Sequence, residues 1–395
     1  MLKYLFSIAI LLFIIPQPQL EAQVACVGNG CEKMPVAQQT ELLSQFQYNY
    51  LDTLVDDISL ATTSAAISGY AGVAEIDGAY HIGLSLPVGY KSRHDIWLMS
   101  PNVQTTVPVE SAGISVLPRL ELGYNPKEDK TKLGKKLQSL NRFEFYLSWF
   151  NYKYEKKSNL KFNANDAFSL NTSSLVGVAT TGTITPDYAK AISLGSGYSL
   201  DWKHYGAGFR YRVIEKKSLT SGSGISWLGI TVAVSLFQDH FYLYTFSDKQ
   251  NTTIKNTNED KLKWQYNNKT TLSSSVETIP VELKTGLGLS RFIRLNTSAG
   301  IAWTRGSHSL QAILAGPFTV DSTSLISQIA TFSSQTTPAT GIIAMNLYSN
   351  KRVNTFTPYF KPGLEFKLGP VRILFEGVMT KGAADTFILS IAADF

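Results

Sequence analysis

The chain has 395 residues, of which 17% are charged and 12% aromatic, and its formal net charge is +6 at pH 7. A charge this small and this evenly spread gives no argument for a nucleic-acid partner, so we expect none. The low charge and the high aromatic content are also unusual for a soluble enzyme.

Residues 1–22 have the pattern of a secretory signal peptide. Lys3 precedes an apolar stretch from Tyr4 to Ile15, which is too short to span a bilayer as a helix. We expect cleavage after Ala22. No later segment approaches the roughly 18 apolar residues of a transmembrane helix, so the exported chain is predicted to be either soluble or a β-barrel.

Two cysteines, Cys26 and Cys31, follow this segment with Val-Gly-Asn-Gly between them. Two close cysteines in an exported chain predict a disulfide. Lipidation of Cys26 is the alternative. A metal site is not expected, because two further ligands are missing nearby.

Residues 23–75 are predicted to form a periplasmic or luminal segment that holds the disulfide and one helix. Pro35 suits the first turn of a helix, and the segment from there to about Ile67 has helical periodicity. Its apolar residues recur along one side, at Leu43, Phe46, Tyr50, Leu54 and Ile58.

From Gly78 onward, apolar residues alternate with polar or small ones, which is the period of β-strands. Ten strands are predicted, at about residues 78–88, 113–124, 141–153, 198–214, 224–246, 277–290, 291–304, 355–368, 370–380 and 385–395. The connections near 89–112, 154–197, 247–276 and 305–354 are long, and most of those between them are short. Short turns that alternate with long outer loops around an even strand number are typical of outer-membrane barrels.

Residues 76–395 are therefore predicted to form an antiparallel transmembrane β-barrel of about ten strands. Twelve strands is the alternative, because the 305–354 connection is long enough to contain strand extensions. The aromatic residues near the predicted outer ends would form an interfacial girdle. They are Trp149, Phe150, Tyr152, Tyr154, Tyr198, Trp202, Tyr242, Tyr244 and Trp303.

The last strand has one wholly apolar face and ends on an aromatic residue. It is similar to the closing strand of bacterial outer-membrane barrels, whose final aromatic residue belongs to the signal read by the barrel assembly machinery. The predicted signal residues are Phe387, Leu389, Ile391 and Phe395. This strand must pair with the strand near Gly78 to close the barrel. A buried final strand of a soluble sandwich is the alternative.

The charged face of the strands is predicted to line the lumen as a paired structural network, with a conducting path as the alternative. Its members are Arg119, Glu121, Arg142, Glu144, Arg210, Arg212, Glu282, Lys284, Arg294, Glu365, Lys367, Arg372 and Glu376. Glycines on the same face are expected to make room for the N-terminal helix, entering from the periplasmic side as a plug. They are Gly83, Gly123, Gly206, Gly208, Gly229, Gly286, Gly288, Gly300 and Gly363.

No residue pattern predicts catalysis or a cofactor. The histidines lack a metal spacing, and Ser307-His308-Ser309 has no identifiable orienting partner. We therefore expect no enzyme, no metal and no cofactor.

Three segments carry a family resemblance: residues 26–32 (Cys-Val-Gly-Asn-Gly-Cys-Glu), 209–217 and 284–288. Together with the exported head, they resemble the leptospiral surface adhesins. The resemblance implies surface-exposed loops on the bacterial outer membrane that bind host extracellular-matrix proteins or plasminogen. The candidate ligand-binding loop contains Lys255, Lys261, Lys263, Trp264 and Tyr266. The alternative function is a channel for small or hydrophobic solutes, gated by the helix.

Overall fold

The computed structural model describes residues 23–28, 30–31, 36–68, 77–99, 103–105, 109–157, 197–219, 224–256, 261–321, 339–381 and 384–395. The predicted signal peptide, residues 69–75 and most of the 154–197 connection lie outside these ranges. The strands are β1 (Gln23–Val27), β2 (Tyr80–Ile96), β3 (Val103–Thr105), β4 (Val109–Val116), β5 (Arg119–Tyr124), β6 (Phe143–Lys157), β7 (Gly197–Ile214), β8 (Lys217–Ser218), β9 (Ser226–Asn256), β10 (Lys261–Gly288), β11 (Ile293–Asp321), β12 (Ala339–Leu368), β13 (Val371–Thr380) and β14 (Asp385–Asp394).

Ten strand positions close into an antiparallel ring. Their order is β12-β11-β10-β9-β7-β6-β5-β2-β14-β13, and β13 pairs again with β12. β4 and β5 share one position, because both pair with β2. The predicted closure is confirmed: β14 pairs with β2, and the Phe395 N–H donates to the Tyr80 carbonyl at 2.9 Å. The ring has ten strands rather than twelve.

The barrel has two distinct ends. The tight connections β10–β11 and β12–β13 lie at one end together with the C-terminus, and we call this the turn end. At the opposite end β9 to β12 are 31, 28, 29 and 30 residues long and project past their neighbours. We call this the loop end.

Apolar side chains face outward in the lower part of the barrel and charged ones face inward. On β10, Val281 and Leu283 are exposed while Glu282 and Lys284 are buried. This sense is the reverse of a soluble barrel and marks a lipid-facing band. No helix among the described residues is long and apolar enough to cross a membrane.

The lipid-facing band ends near Trp303 on β11. Directly above it, Arg305 and Glu277 form an exposed ion pair at 2.6 Å on the outer surface. A transmembrane strand needs only about 9–11 residues to cross the membrane. The remaining residues of β10 and β11 continue past this level for about 50 Å along the strand. We call this part of β9 to β12 the extension.

The 247–276 and 305–354 connections were predicted as loops, and this prediction is wrong. Most of their described residues belong to the extension, where the inside-out pattern reverses. Leu262, Trp264 and Leu272 on β10 point inward and are buried, whereas Lys263 is exposed. The polar composition of these segments suits the outer face of a sheet whose inner face is covered.

The N-terminal helix, α1, covers that inner face. It runs continuously through Val36–Ser44, a π-helical segment Gln45–Leu51 and Asp52–Ala66. Phe46 packs edge-on against Trp264, with ring centroids 6.3 Å apart. A buried apolar cluster joins the helix to the extension: Leu42, Phe46, Leu51, Val55, Leu262, Trp264, Leu272, Leu310, Leu314, Phe318, Ile343, Met345 and Leu347.

The helix enters the barrel from the loop end. Entry from the periplasmic side stays a prediction, because the structure does not show which end faces the periplasm. The Gln47 amide hydrogen-bonds both backbone groups of Tyr348, high on β12, at 2.6 and 3.0 Å. The Ser68 carbonyl accepts from Lys361, much lower on the same strand. The helix thus descends from the loop end and stops inside the lumen.

The glycines that make room for the helix are Gly89 and Gly113, which were not among those predicted. A Cβ atom at either position would overlap the Ala61 or the Asp57 carbonyl of α1. Several of the predicted glycines instead face large side chains of neighbouring strands: Gly208 faces Tyr146 and Gly300 faces Tyr359. Side chains therefore fill the lower lumen, and the helix fills the upper lumen.

Candidate functional site

Two buried cations hold the C-terminal end of the helix inside the lumen. Lys361 donates to the Ser68 carbonyl at 2.6 Å, and Arg119 donates to Ser68 Oγ at 2.8 Å and to the Ala66 carbonyl at 3.3 Å. Both cations are fully buried. Cations favour the negative end of a helix dipole, so these contacts anchor the helix electrostatically as well as by hydrogen bonds. We call Arg119, Lys361 and Ser68 the helix latch.

Glu282 supports the latch from β10. Its carboxylate lies 3.0 Å from Lys361 Nζ and 2.9 Å from Lys284 Nζ, and it accepts a hydrogen bond from the Tyr359 hydroxyl at 2.8 Å. All four side chains are at most 5% exposed. A buried carboxylate with this many donors is compensated for its loss of water, so the cluster is a fixed element of the lumen.

A second buried cluster forms on β6 and β7. Glu144 pairs with Arg210 at 3.1 Å and with Arg212 at 2.7 Å. Glu121 accepts a hydrogen bond from Ser85 at 2.7 Å, and Glu376 is also buried.

Arg142 is the exception among the predicted lumen residues. It is exposed in the turn before β6, because the strand begins only at Phe143 and the inward alternation therefore starts at Glu144.

The turn end of the lumen is occupied by Asp77. Its carboxylate lies 2.6 Å from Arg294, 2.7 Å from Lys367 and 3.2 Å from Arg372. Burial opposes ionisation, but the three cations together hold the pKa of Asp77 well below its ordinary value. Glu365 also contacts Arg294, at 3.4 Å. Asp77, three residues before β2, is thereby attached to the inner wall.

Ser148, His204 and Asp239 form a hydrogen-bonded chain across β6, β7 and β9. Ser148 Oγ is 2.7 Å from His204 Nε2, and His204 Nδ1 is 2.7 Å from Asp239 Oδ1. Serine hydrolases use the same three residue types in the same order. Here all three side chains are at most 4% exposed, and Arg119 lies 3.8 Å from Asp239. We interpret the chain as internal hydrogen bonding of the lumen wall.

Sequence reasoning missed this chain, because its members lie far apart in sequence and meet only through strand register. His204 pairs directly with Asp239, and Phe150, two residues after Ser148, pairs with His204. Among the described residues, no group of three or more histidine, cysteine or acidic side chains could hold a metal ion.

The candidate ligand-binding residues lie in strands of the extension rather than in a loop. Lys255 and Lys261 are cross-strand partners next to the β9–β10 connection. Lys263 is exposed, but Trp264 is only 1% exposed because its ring packs on the helix, and Tyr266 lies 4.4 Å from that ring. The helix therefore covers Trp264, and ligand binding by the candidate residues stays a prediction.

Lys263 and Trp264 line a cavity of about 380 Å³ in the extension. Thr253 on β9 and Pro317 and Phe318 on β11 complete much of its wall. The cavity places one exposed lysine beside a mostly apolar surface.

The disulfide between Cys26 and Cys31 is present, and it lies at the loop end. β1, which contains Cys26, pairs with β12 from Ile342 to Asn346. Residues 23–75 were predicted to be periplasmic or luminal, and which side of the membrane the loop end faces stays a prediction.

The predicted assembly-signal residues lie on β14 and at the C-terminus. Phe387, Ile391 and Phe395 are at least half exposed on the outer surface, and Leu389 shares their face. Recognition by an assembly machinery remains a prediction.

Comparison with solved structures finds distant barrels. The transport unit of the autotransporter AIDA-I from Escherichia coli is 7% identical and has a TM-score of 0.28, with 88% of this chain and 99% of that chain covered. The translocator domain of NalP from Neisseria meningitidis is 7% identical at a TM-score of 0.26, with 89% and 99% covered. The Pseudomonas putida toluene transporter TodX is 12% identical at a TM-score of 0.22, with 86% and 94% covered. Likenesses this distant carry no argument about function.

A search of curated protein sequences gives no significant match. A family model described as Lsa36-like matches residues 19–182 and 176–395, which together span nearly the whole chain. The match confirms the resemblance to leptospiral surface adhesins that the cysteine segment and the barrel segments indicated. The chain, a ten-stranded transmembrane β-barrel with an internal helix, belongs to the Lsa36-like family.

Proposed function

We propose that this protein is a surface binding protein of the bacterial outer membrane, an adhesin that presents its extension to host extracellular-matrix proteins or plasminogen. The observation that carries the proposal is the extension itself. Four strands continue far past the lipid-facing band, and they form a wall with its own apolar core around the N-terminal helix. A passive pore needs no such wall, whereas a binding protein needs a stable surface clear of the membrane.

The state of the lumen supports the same function. The helix fills the upper lumen and is anchored by the latch, while the Glu282 and Glu144 clusters fill the wall below it. A channel would require the helix to leave, which would remove the acceptors that Ser68 and Ala66 supply to the buried Lys361 and Arg119. Solute transport is therefore the second candidate, and it makes a different prediction for conductance.

The family contributes the ligand class. Lsa36-like proteins are related to a leptospiral surface adhesin, and this relationship favours a host protein as the ligand. In the proposed orientation the turn end faces the periplasm and the extension faces the host. The predicted lysine site comprises the exposed Lys263 beside its cavity and the cross-strand partners Lys255 and Lys261.

The test is binding of the full-length protein, in lipid vesicles, to immobilised plasminogen and to an extracellular-matrix preparation. We expect the Lys255→Ala/Lys261→Ala/Lys263→Ala variant to lose most of the binding. The matched control is Lys135→Ala/Lys136→Ala, because these exposed lysines lie in the short helix Lys132–Lys136 at the turn end. Equal loss in both variants, or in neither, would overturn the assignment of the site to the extension.

Two further measurements separate the alternatives. Protease added to intact cells should cut the β9–β10 connection at 257–260, and protection of that connection would contradict the proposed orientation. In planar bilayers the protein should show no steady conductance. An open-channel current that is abolished by a disulfide between the helix and the barrel wall would favour transport instead.

A further inference from the structure

Three tyrosines form a stack on the inner face of β6 and β7 at the loop end. The rings of Tyr152 and Tyr154 are 6.4 Å apart and inclined by only 3°, and the rings of Tyr154 and Tyr198 are 5.5 Å apart and inclined by 28°. We call these three residues the tyrosine stack. They had been expected to belong to an interfacial girdle, which would require them to face lipid.

The alternation of side chains along β6 excludes that role. Leu147 and Trp149 face outward, whereas Tyr146 and Ser148 face inward and are buried, so the even-numbered tyrosines continue the inner face. The prediction that these tyrosines contact lipid is wrong for this reason.

The stack also lies above the lipid-facing band. The outer face of β6 becomes polar at Asn151 and Lys153, and that of β7 is polar at Asp201 and Lys203. Tyr152, Tyr154 and Tyr198 are 44%, 40% and 43% exposed. Three adjacent, partly exposed rings form an apolar surface that the described residues leave uncovered, which is typical of a binding site.

Packing from below holds the stack in place. Phe150 lies 6.3 Å from Tyr152 and 6.2 Å from Trp202, and Trp202 in turn lies 5.2 Å from Phe241. The lower end of this aromatic row packs beside Ala65 and Ala66 of the helix. Rings fixed in this way lose little conformational entropy on binding, so the platform is pre-organised.

We propose that the tyrosine stack binds an acidic oligosaccharide, whose sugar rings lie against the tyrosines while a carboxylate or sulfate reaches Lys156. Three neighbouring tyrosine rings that are each about 40% exposed offer apolar surface for the apolar faces of pyranose rings, whose hydroxyl groups stay in water. Lys156 is the cross-strand partner of Tyr198, is exposed, and follows Tyr154 on the same face. This proposal names a ligand class for the surface-binding function proposed above. It rests on that function only in assuming that the loop end faces outward from the cell.

The test is calorimetric titration of the full-length protein in detergent with three probes. They are a hyaluronan octasaccharide, which carries carboxylates only, a heparin octasaccharide, which also carries sulfates, and neutral maltooctaose. We expect the wild type to bind at least one acidic probe more tightly than maltooctaose. Tyr154→Ala and Tyr198→Ala should each weaken that binding roughly three- to tenfold, as expected for the loss of one stacked ring. Tyr154→Phe should retain it.

Two variants serve as controls. Tyr242→Ala removes an equally exposed ring from the outer face of β9 and should bind like the wild type. Lys156→Gln should weaken binding of the acidic probes and flatten its salt dependence, while leaving maltooctaose unaffected. Unchanged binding by both alanine variants, or no binding of any probe by the folded wild type, would overturn the proposal. Because these titrations use free sugars, their failure leaves the test with plasminogen and matrix proteins intact.

Discussion

Replacing Lys361 with methionine is expected to destabilise the barrel and release the lower end of the helix. The substitution removes one donor from the Ser68 carbonyl and one cation from Glu282, at 2.6 and 3.0 Å, in a place where Lys361 and Glu282 are at most 3% exposed. Removing one member of a buried ion pair costs about 3–5 kcal/mol. Lys284 still contacts Glu282, so we expect a loss near 3 kcal/mol in the free energy of unfolding.

Lys351 provides a matched control on the same strand. It pairs with Asp56 of the same helix at 2.9 Å, but both side chains are half exposed. Water and salt screen such a pair, so Lys351→Met should cost less than about 1 kcal/mol. The two lysines therefore make the same kind of contact between helix and strand and differ mainly in burial.

Urea unfolding in phospholipid vesicles, followed by tryptophan fluorescence, measures both losses. The double variant Lys361→Met/Glu282→Gln should cost less than the sum of the two single changes, because it leaves no buried carboxylate short of a cation. If Lys361→Met costs no more than Lys351→Met, then the helix latch does not stabilise the plugged state and the reasoning fails.

Three further predictions concern other parts of the chain. Gly89→Ala should lower the free energy of unfolding by about 1–3 kcal/mol, because the new Cβ overlaps the Ala61 carbonyl. Gly377→Ala should be neutral in the same assay, because its Cβ would lie 3.9 Å from the nearest atom. Equal effects would contradict the close approach of the helix. Asp77 has a lowered pKa in the folded state, so its contribution to the free energy of unfolding is present above about pH 4 and is lost as the pH falls through the folded-state pKa. The urea midpoints of the wild type and Asp77→Asn should therefore converge in acid. A gap that widens in acid would refute this. Cys26→Ser/Cys31→Ser should lower the free energy of local unfolding of β1 by about 2 kcal/mol. Amide hydrogen exchange at Ile342–Asn346 should become faster, while exchange in the lower part of the helix should not change. Unchanged exchange at Ile342–Asn346 would show that other contacts hold β1.

The barrel itself could be predicted from the sequence, because its signal is local. Alternation along each strand specifies which side chains share a face, and only lipid accepts an apolar outer face with charges inside. Val281, Leu283 and Phe387 are outside and Glu282 and Lys284 are inside for this reason. The pairing of the last strand with the first follows from closure alone.

Features that depend on contacts between distant segments could not be predicted in this way. The apolar stripe of the helix is the same whichever end of the helix enters the barrel. The direction of the helix is set by the hydrogen bonds of Gln47 with Tyr348 and of Lys361 with the Ser68 carbonyl. The chain of Ser148, His204 and Asp239 depends on strand register, which no single strand contains.

The sequence by itself determined the membrane barrel, because periodicity acts within a few residues. It favoured ten strands and a disulfide, and it left twelve strands and lipidation of Cys26 as alternatives that the structure decided against. Tertiary structure decided that two supposed loops are strands, since their apolar inner residues needed the helix as a partner. It also decided that the tyrosines of β6 face the loop-end mouth rather than lipid. The alternation of inward and outward side chains can be predicted from each strand alone. Which element covers a given side chain depends on segments that meet only in the folded molecule.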